Sequence, residues 1–127
     1  MRFVSIIIIG LVLFGCAGSP AWNSQRISST RGEAKRNNEK MMLIEVGQDK
    51  EMVVGIMGPP TRREAYQLED DKTIEFLFYR TTGWSPSELG DRDHQFTPVA
   101  IESGKLVGWG RNYYEQIIKA VVEVTTK

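Results

Sequence analysis

Gly47-Gln48-Asp49-Lys50-Glu51-Met52-Val53-Val54-Gly55-Ile56-Met57-Gly58-Pro59-Pro60 decides how this chain folds. Gly47 supplies a sharp bend. Asp49 is a residue type that caps a helix by offering a carboxylate to the first free backbone N–H groups. Val53, Ile56 and Met57 then recur at helical spacing and build one apolar face. Gly58 tolerates the left-handed conformation that closes a helix, and Pro59-Pro60 cannot continue one. The segment is therefore a short helix, Asp49–Met57, entered from a tight turn and stopped abruptly.

Upstream of it, Thr30-Arg31-Gly32-Glu33 fits a capping box, in which hydroxyl and carboxylate satisfy the first backbone donors. A helix is predicted from Arg31 to Ile44. Its apolar stripe of Ala34, Met41 and Ile44 is concentrated in the second half, and Gly47 ends the unit.

Downstream, the hydrophobic period changes to two. Arg62–Leu68 reads as a partly exposed strand and Glu69-Asp70-Asp71-Lys72 as a turn. Thr73–Thr81 is the strongest strand, with Ile74, Phe76 and Phe78 on one side and Glu75, Leu77 and Tyr79 on the other. Thr82–Asp93 is a loop carrying Gly83, Pro86 and Gly90. Gln95–Glu102 is a strand whose Pro98 implies an edge position or a bulge. Ser103-Gly104 is a two-residue hairpin turn into a last strand, Lys105–Gly110. Asn112 with Glu115 opens a final helix with Tyr114, Ile117, Ile118 and Val121 on one face. The β-branched run Val121-Val122-Glu123-Val124 is equally compatible with a strand. The fold class is α+β in two layers: two N-terminal helices packed on a three- to four-stranded antiparallel meander, with a short C-terminal helix.

The beginning of the chain carries a different kind of signal. Arg2 precedes an apolar stretch from Phe3 to Phe14, interrupted by Ser5 and Gly10. As a helix it would span about 18 Å against roughly 30 Å of bilayer hydrocarbon, the length of a signal-peptide apolar region. Leu13-Phe14-Gly15-Cys16 resembles a bacterial lipobox, in which a small residue precedes the cysteine that receives a diacylglyceryl group. Phe14 is larger than the residue usual at its position. Residues 1–15 are thus expected to be a lipoprotein signal peptide, 16–30 a lipidated polar tether, and 31–127 the folded domain. Ala17 in place of Asp after the cysteine implies, in the lipoproteins this resembles, export to the outer membrane. The periplasmic face of that membrane is the expected location. Trp22, the one aromatic residue of the tether, suits lipid headgroups and is also a type that docks on partners.

Composition narrows the function further. The 127 residues balance 16 basic against 16 acidic side chains and form no basic stripe, which argues against nucleic-acid binding. One cysteine, if lipidated, leaves no disulfide, and one histidine, His94, removes multi-histidine metal sites. Asp91-Arg92-Asp93-His94 lacks a nucleophile or a third fixed ligand and reads as a solvated loop. Glu69-Asp70-Asp71 lacks calcium-loop spacing. No enzyme, metal or cofactor is expected. The candidate partner-binding residues are Trp84, Trp109, Arg80 and Tyr113. Trp84 sits in a Gly/Pro/Ser loop, where partner contact and inward folding are both open. Trp109, alternating with Val107, is expected in the core or half in it. Arg80 would pair with an acidic partner or, within the chain, with Asp91 or Asp93.

Gly47 to Pro60, with helix, helix and meander in that order, resembles the small BamE (SmpA/OmlA) outer-membrane lipoproteins. Leu77-Phe78-Tyr79-Arg80-Thr81, Thr97-Pro98-Val99 and Gly104-Lys105-Leu106-Val107-Gly108-Trp109-Gly110 are similar to a sister family of uncharacterised lipoproteins. The resemblance implies a shared fold held by an envelope lipid anchor. The surface residues through which BamE acts in β-barrel insertion find no one-by-one counterpart here. The functional expectation is a non-enzymatic envelope lipoprotein that binds or scaffolds a protein partner, in outer-membrane assembly or maintenance. The alternative is a ligand-binding module that stacks lipid or peptidoglycan fragments on its aromatics.

Overall fold

The structure, a computed structural model, describes residues 20–125. Its elements are α1 (Pro20–Met41), α2 (Lys50–Met57), β1 (Arg62–Gln67), β2 (Thr73–Arg80), β3 (Phe96–Glu102), β4 (Lys105–Trp109) and α3 (Arg111–Thr125). The signal peptide expected over 1–15 and the lipidation site Cys16 lie outside the described residues.

The four strands form one antiparallel meander in the order β1-β2-β3-β4. β2 shows why both faces of this sheet must be covered. Leu77 and Tyr79 point one way and Ile74, Phe76 and Phe78 the other, and all five are buried. On the first face, Met41, Ile44, Val53 and Met57 cover Leu77, Tyr79, Val99, Ile101 and Leu106. On the second, Tyr113, Tyr114 and Ile117 of α3 pack over Ile74, Phe76, Phe78 and Ala100. The Tyr114 ring stands edge-on to Phe76 at 4.9 Å, and its hydroxyl donates to Glu64 Oε2 at 2.6 Å, tying α3 to β1. The α+β class, N-terminal helices, meander and C-terminal helix are as expected. The second sheet face is not free, because α3 lies across it as a third, partial layer.

The β3–β4 turn has Ser103 and Gly104 at φ 51° and 76°, both left-handed as a two-residue hairpin turn requires. Pro98 does not place β3 at an edge; β3 pairs on both sides. Pro98 O accepts from Gly110 N–H at 2.9 Å, so the proline nitrogen also faces the β4 side, just past the last residue of β4. There the missing N–H costs only the reciprocal bond to Gly110, beyond the end of β4.

The largest departure is at the N-terminal end. Pro20–Met41 is one helix of 22 residues, so Pro20 to Thr30 is not a loose tether, and Thr30 and Glu33 are not a capping box. Pro20 is tolerated because the first helical residue needs no N–H, and nothing from Trp22 to Arg31 breaks a helix. The stripe that docks this half is polar (Arg26, Thr30, Glu33, Asn37), which a search for apolar periodicity passes over. α1 also stops three residues short of Ile44, with Leu43 N–H returning to Lys40 O at 2.9 Å. Asp49 has the extended backbone of a cap residue, but its carboxylate pairs with Lys105 instead of the helix.

Candidate functional site

Two surfaces of α1 carry the polar and apolar features that a function could use: the seam with the loop after β2, and the connection to α2. The seam is centred on Arg80, the last residue of β2, which is 4% exposed. Its Nη1 donates to Gln95 Oε1 at 2.9 Å and to Thr82 O at 3.3 Å, and its Nη2 pairs with Asp91. Nε faces Glu33 Oε2 at 3.3 Å as an ion pair, off-line for a hydrogen bond. The guanidinium lies 4.6 Å over the Phe96 ring. Intramolecular contacts thus surround the Arg80 guanidinium, with Nε left to a charge contact alone.

Trp84 belongs to the same seam. It is 9% exposed. Its backbone N–H donates to Thr30 Oγ1 at 2.8 Å and its indole Nε1 to Asp91 Oδ1 at 2.9 Å. Arg31 Nε donates to Trp84 O at 3.0 Å, and the Arg26 guanidinium sits 5.3 Å over the indole. Asn37 and Asn38 close the seam further along, each donating at 2.9 Å to the carbonyls of Arg80 and Thr81. The indole and the Arg80 guanidinium hold the Asp91 carboxyl below its ordinary value, the indole hydrogen bond contributing most. Trp84 has therefore folded inward, and neither it nor Arg80 is available to a partner or to stack a ligand.

The other expected partner residues do not join them. Trp109 pairs with Val99 at the β4 edge and is more exposed than its alternation with Val107 implies. Val107 is displaced from that alternation by the irregularity at Ala100/Ile101. Tyr113 is half-buried on the α3 side against Gly108, its hydroxyl raised by burial and by Glu102. The four residues are dispersed between a buried seam and two sides of the sheet edge.

Asp91-Arg92-Asp93-His94 is likewise pulled apart. Asp91 turns to Arg80 and Trp84, Asp93 pairs with Arg62 at 3.0 Å, and His94 Nε2 lies 3.0 Å from Glu88. Arg62 lowers the Asp93 carboxyl. An open cleft of about 290 Å³ runs past Thr61, Arg62, Asp91, Arg92, Asp93 and Phe96, with Arg62 and Asp93 paired at its wall. Among the described residues no three His, Cys, Asp or Glu side chains converge as metal ligands. No described helix is long and apolar enough to cross a membrane.

The surface that sequence reasoning missed lies where α1 gives way to α2. Met42 is 86% exposed, Leu43 64% and Val46 66%, and Met52 of α2 is exposed as well. The backbone under them is pinned to the β4 edge: Gly47 N–H donates to Leu106 O and Leu106 N–H to Gln48 O, both at 2.8 Å. These apolar side chains face outward from a hydrogen-bonded stretch of backbone and not from a frayed end. The available signal was the run Met41-Met42-Leu43-Ile44. Four consecutive apolar residues exceed what one helical face can bury, and the structure buries only Met41 and Ile44.

No curated protein and no solved structure matches the chain. The family model described as protein of unknown function (DUF3192) matches residues 20–116, from the first residue of α1 into α3. The chain belongs to the DUF3192 family.

Proposed function

We propose that this chain is a non-enzymatic, lipid-anchored envelope protein of BamE-like type. It would present the apolar surface at the α1–α2 connection to a protein partner at the periplasmic face of the outer membrane. The observation that carries the reading is the exposure of Met42, Leu43 and Val46 on a hydrogen-bonded backbone, beside a core in which Val53, Phe76 and Leu106 are fully buried. Apolar side chains of this size contribute about 1.5–3 kcal/mol each when withdrawn from water. Three such side chains left outside within the five residues from Met42 to Val46 mark an interaction surface. Leu13-Phe14-Gly15-Cys16 supports the anchor, and the Gly47–Pro60 motif supports the likeness to small outer-membrane lipoproteins.

A photoreactive residue at Leu43 or Val46, activated in intact membranes, is expected to capture one and the same protein from both positions. Met42→Asp should abolish that product, and the same group at Gln25 should not form it. No product, or one indifferent to Met42→Asp, would refute the surface. The anchor is read separately by palmitate labelling, which should appear in the natural chain and vanish in Cys16→Ser.

A further inference from the structure

Among the exposed large apolar residues, two groups belong to the regions at the two ends of α1, while Trp109 lies on β4 and Val122 on α3. Met42, Leu43 and Val46 occupy its C-terminal end; at the other end stand Trp22, 54% exposed, and Leu89 of the loop that closes over Trp84. Trp22 and Trp84 both stack against the Arg26 guanidinium at 5.3 Å, so Trp22, Arg26 and this loop form one continuous surface. On its helix side the charge is one-sided. From Pro20 to Gly32 the charged residues are Arg26 and Arg31, with no acid among them. The loop brings three acids: Asp91 is held by Arg80 and Trp84 and lies in the field of Arg26, Glu88 faces His94, and Asp93 pairs with Arg62.

We infer that this end of the molecule, Trp22, Arg26, Arg31 and Leu89, lies directly on an anionic lipid headgroup surface and fixes α1 there as a strut. The inference rests on the anchoring proposed above and specifies what that anchoring does. Three residues, Ala17 to Ser19, stand between Cys16 and Pro20, and the four residue steps reach at most about 14 Å when fully extended. A lipid on Cys16 therefore holds the start of α1 within headgroup distance. Indole settles at that depth, a leucine side chain reaches below it, and guanidinium groups pair with phosphates. α1 is about 33 Å long, so the apolar residues beyond Met41 are carried well clear of the bilayer. A membrane therefore suits the first end of α1, and a protein the second.

The test uses the mature lipidated chain in vesicles of phosphatidylcholine, with or without phosphatidylserine. Because Cys16 is blocked by lipid, a cysteine introduced by Gln25→Cys, Ser87→Cys or Glu45→Cys is the only free thiol and takes a nitrobenzoxadiazole dye. With phosphatidylserine present, dyes at 25 and 87 are expected to resist aqueous dithionite several-fold longer than the dye at 45. Strong salt should erase that protection without any mutation, since screening shortens the reach of charge. Arg26→Gln with Arg31→Gln should do the same. Equal accessibility at 25, 87 and 45 in vesicles that carry the protein overturns the headgroup contact and leaves the anchor standing. A chain that does not float with vesicles at all overturns the anchor, and this inference with it.

Discussion

Removing the Arg80 side chain tests whether the polar seam, and not apolar packing alone, holds α1 on the domain. Arg80→Ala deletes the bonds from Nη1 to Gln95 and Thr82, the Nη2 pair with Asp91 and the Nε pair with Glu33. Breaking one side of a buried ion pair costs about 3–5 kcal/mol, chiefly through the charge left behind. Here the surviving carboxylates sit at the rim, Asp91 57% and Glu33 43% exposed by side chain, and water can reach them. Gln95 Oε1 also keeps a donor, the Arg92 N–H at 3.2 Å. These relaxations place the loss at the lower end, about 3 kcal/mol. For a domain near this size, at about 4 °C per kcal/mol, the melting midpoint would fall by about 12 °C. Urea unfolding followed by tryptophan fluorescence measures it, and Trp84 reports from inside the seam. In a double-mutant cycle with Asp91→Ala the two losses should fall short of additive by at least about 1 kcal/mol. A loss under about 1 kcal/mol for Arg80→Ala, or strict additivity, would refute the seam as a stabilising network.

Acid should act on the same contact. The Asp91 carboxyl is lowered in the folded protein, so its contribution is present above the ordinary carboxylate range. That contribution is lost as pH falls from that range through the folded value. Asp91→Asn is expected to flatten the acid limb of melting midpoint against pH while leaving the alkaline side unchanged. Gly83→Ala tests the close approach of loop and helix. A β-carbon there would stand 2.6 Å from the backbone nitrogen of Arg31, which cannot swing aside, and the strain should cost about 1–3 kcal/mol in urea unfolding. A neutral Gly83→Ala would mean that the loop rides further from α1 than described.

The meander was legible because its signals are local. Ile74, Phe76 and Phe78 alternate without interruption, and Ser103-Gly104 can hardly be anything but a tight turn. The α2 boundaries followed from the same kind of mark, a cap residue at one end and Gly58-Pro59-Pro60 at the other. α1 was half legible because its docking depends on partners more than forty residues away. Thr30 and Glu33 do find partners, as in a capping box, but distant ones: Thr30 accepts from the Trp84 N–H and Glu33 pairs by charge with Arg80. A side chain that can serve a helix end serves a distant loop equally well, and spacing does not distinguish the two. Trp84 was undecidable for the same reason. Its polar-looking neighbours Gly83, Ser85 and Pro86 describe the loop's outside, while the acceptor for its indole, Asp91, is brought back by the loop's closure.

The replacement of a tether by a helix changes what the proposed anchor would do. A flexible segment of fifteen residues has a root-mean-square reach of about 20 Å in any direction, and the domain on it would sample every orientation. With α1 helical from Pro20, only three residues separate Cys16 from a rod that is hydrogen-bonded to the end of β2 and its following loop at Arg80, Thr81 and Trp84. Rotation of the domain against the anchor is then confined to that short link. The Met42–Val46 surface would stand at a set height, facing a partner whose own height above the bilayer is also set. Such restriction raises the effective concentration of the two surfaces without adding a contact to either. The polar composition of α1 fits this duty. A helix docked by Thr30, Asn37 and Asn38 on backbone groups has a defined register along the loop, whereas a greasy stripe would tolerate sliding by a turn.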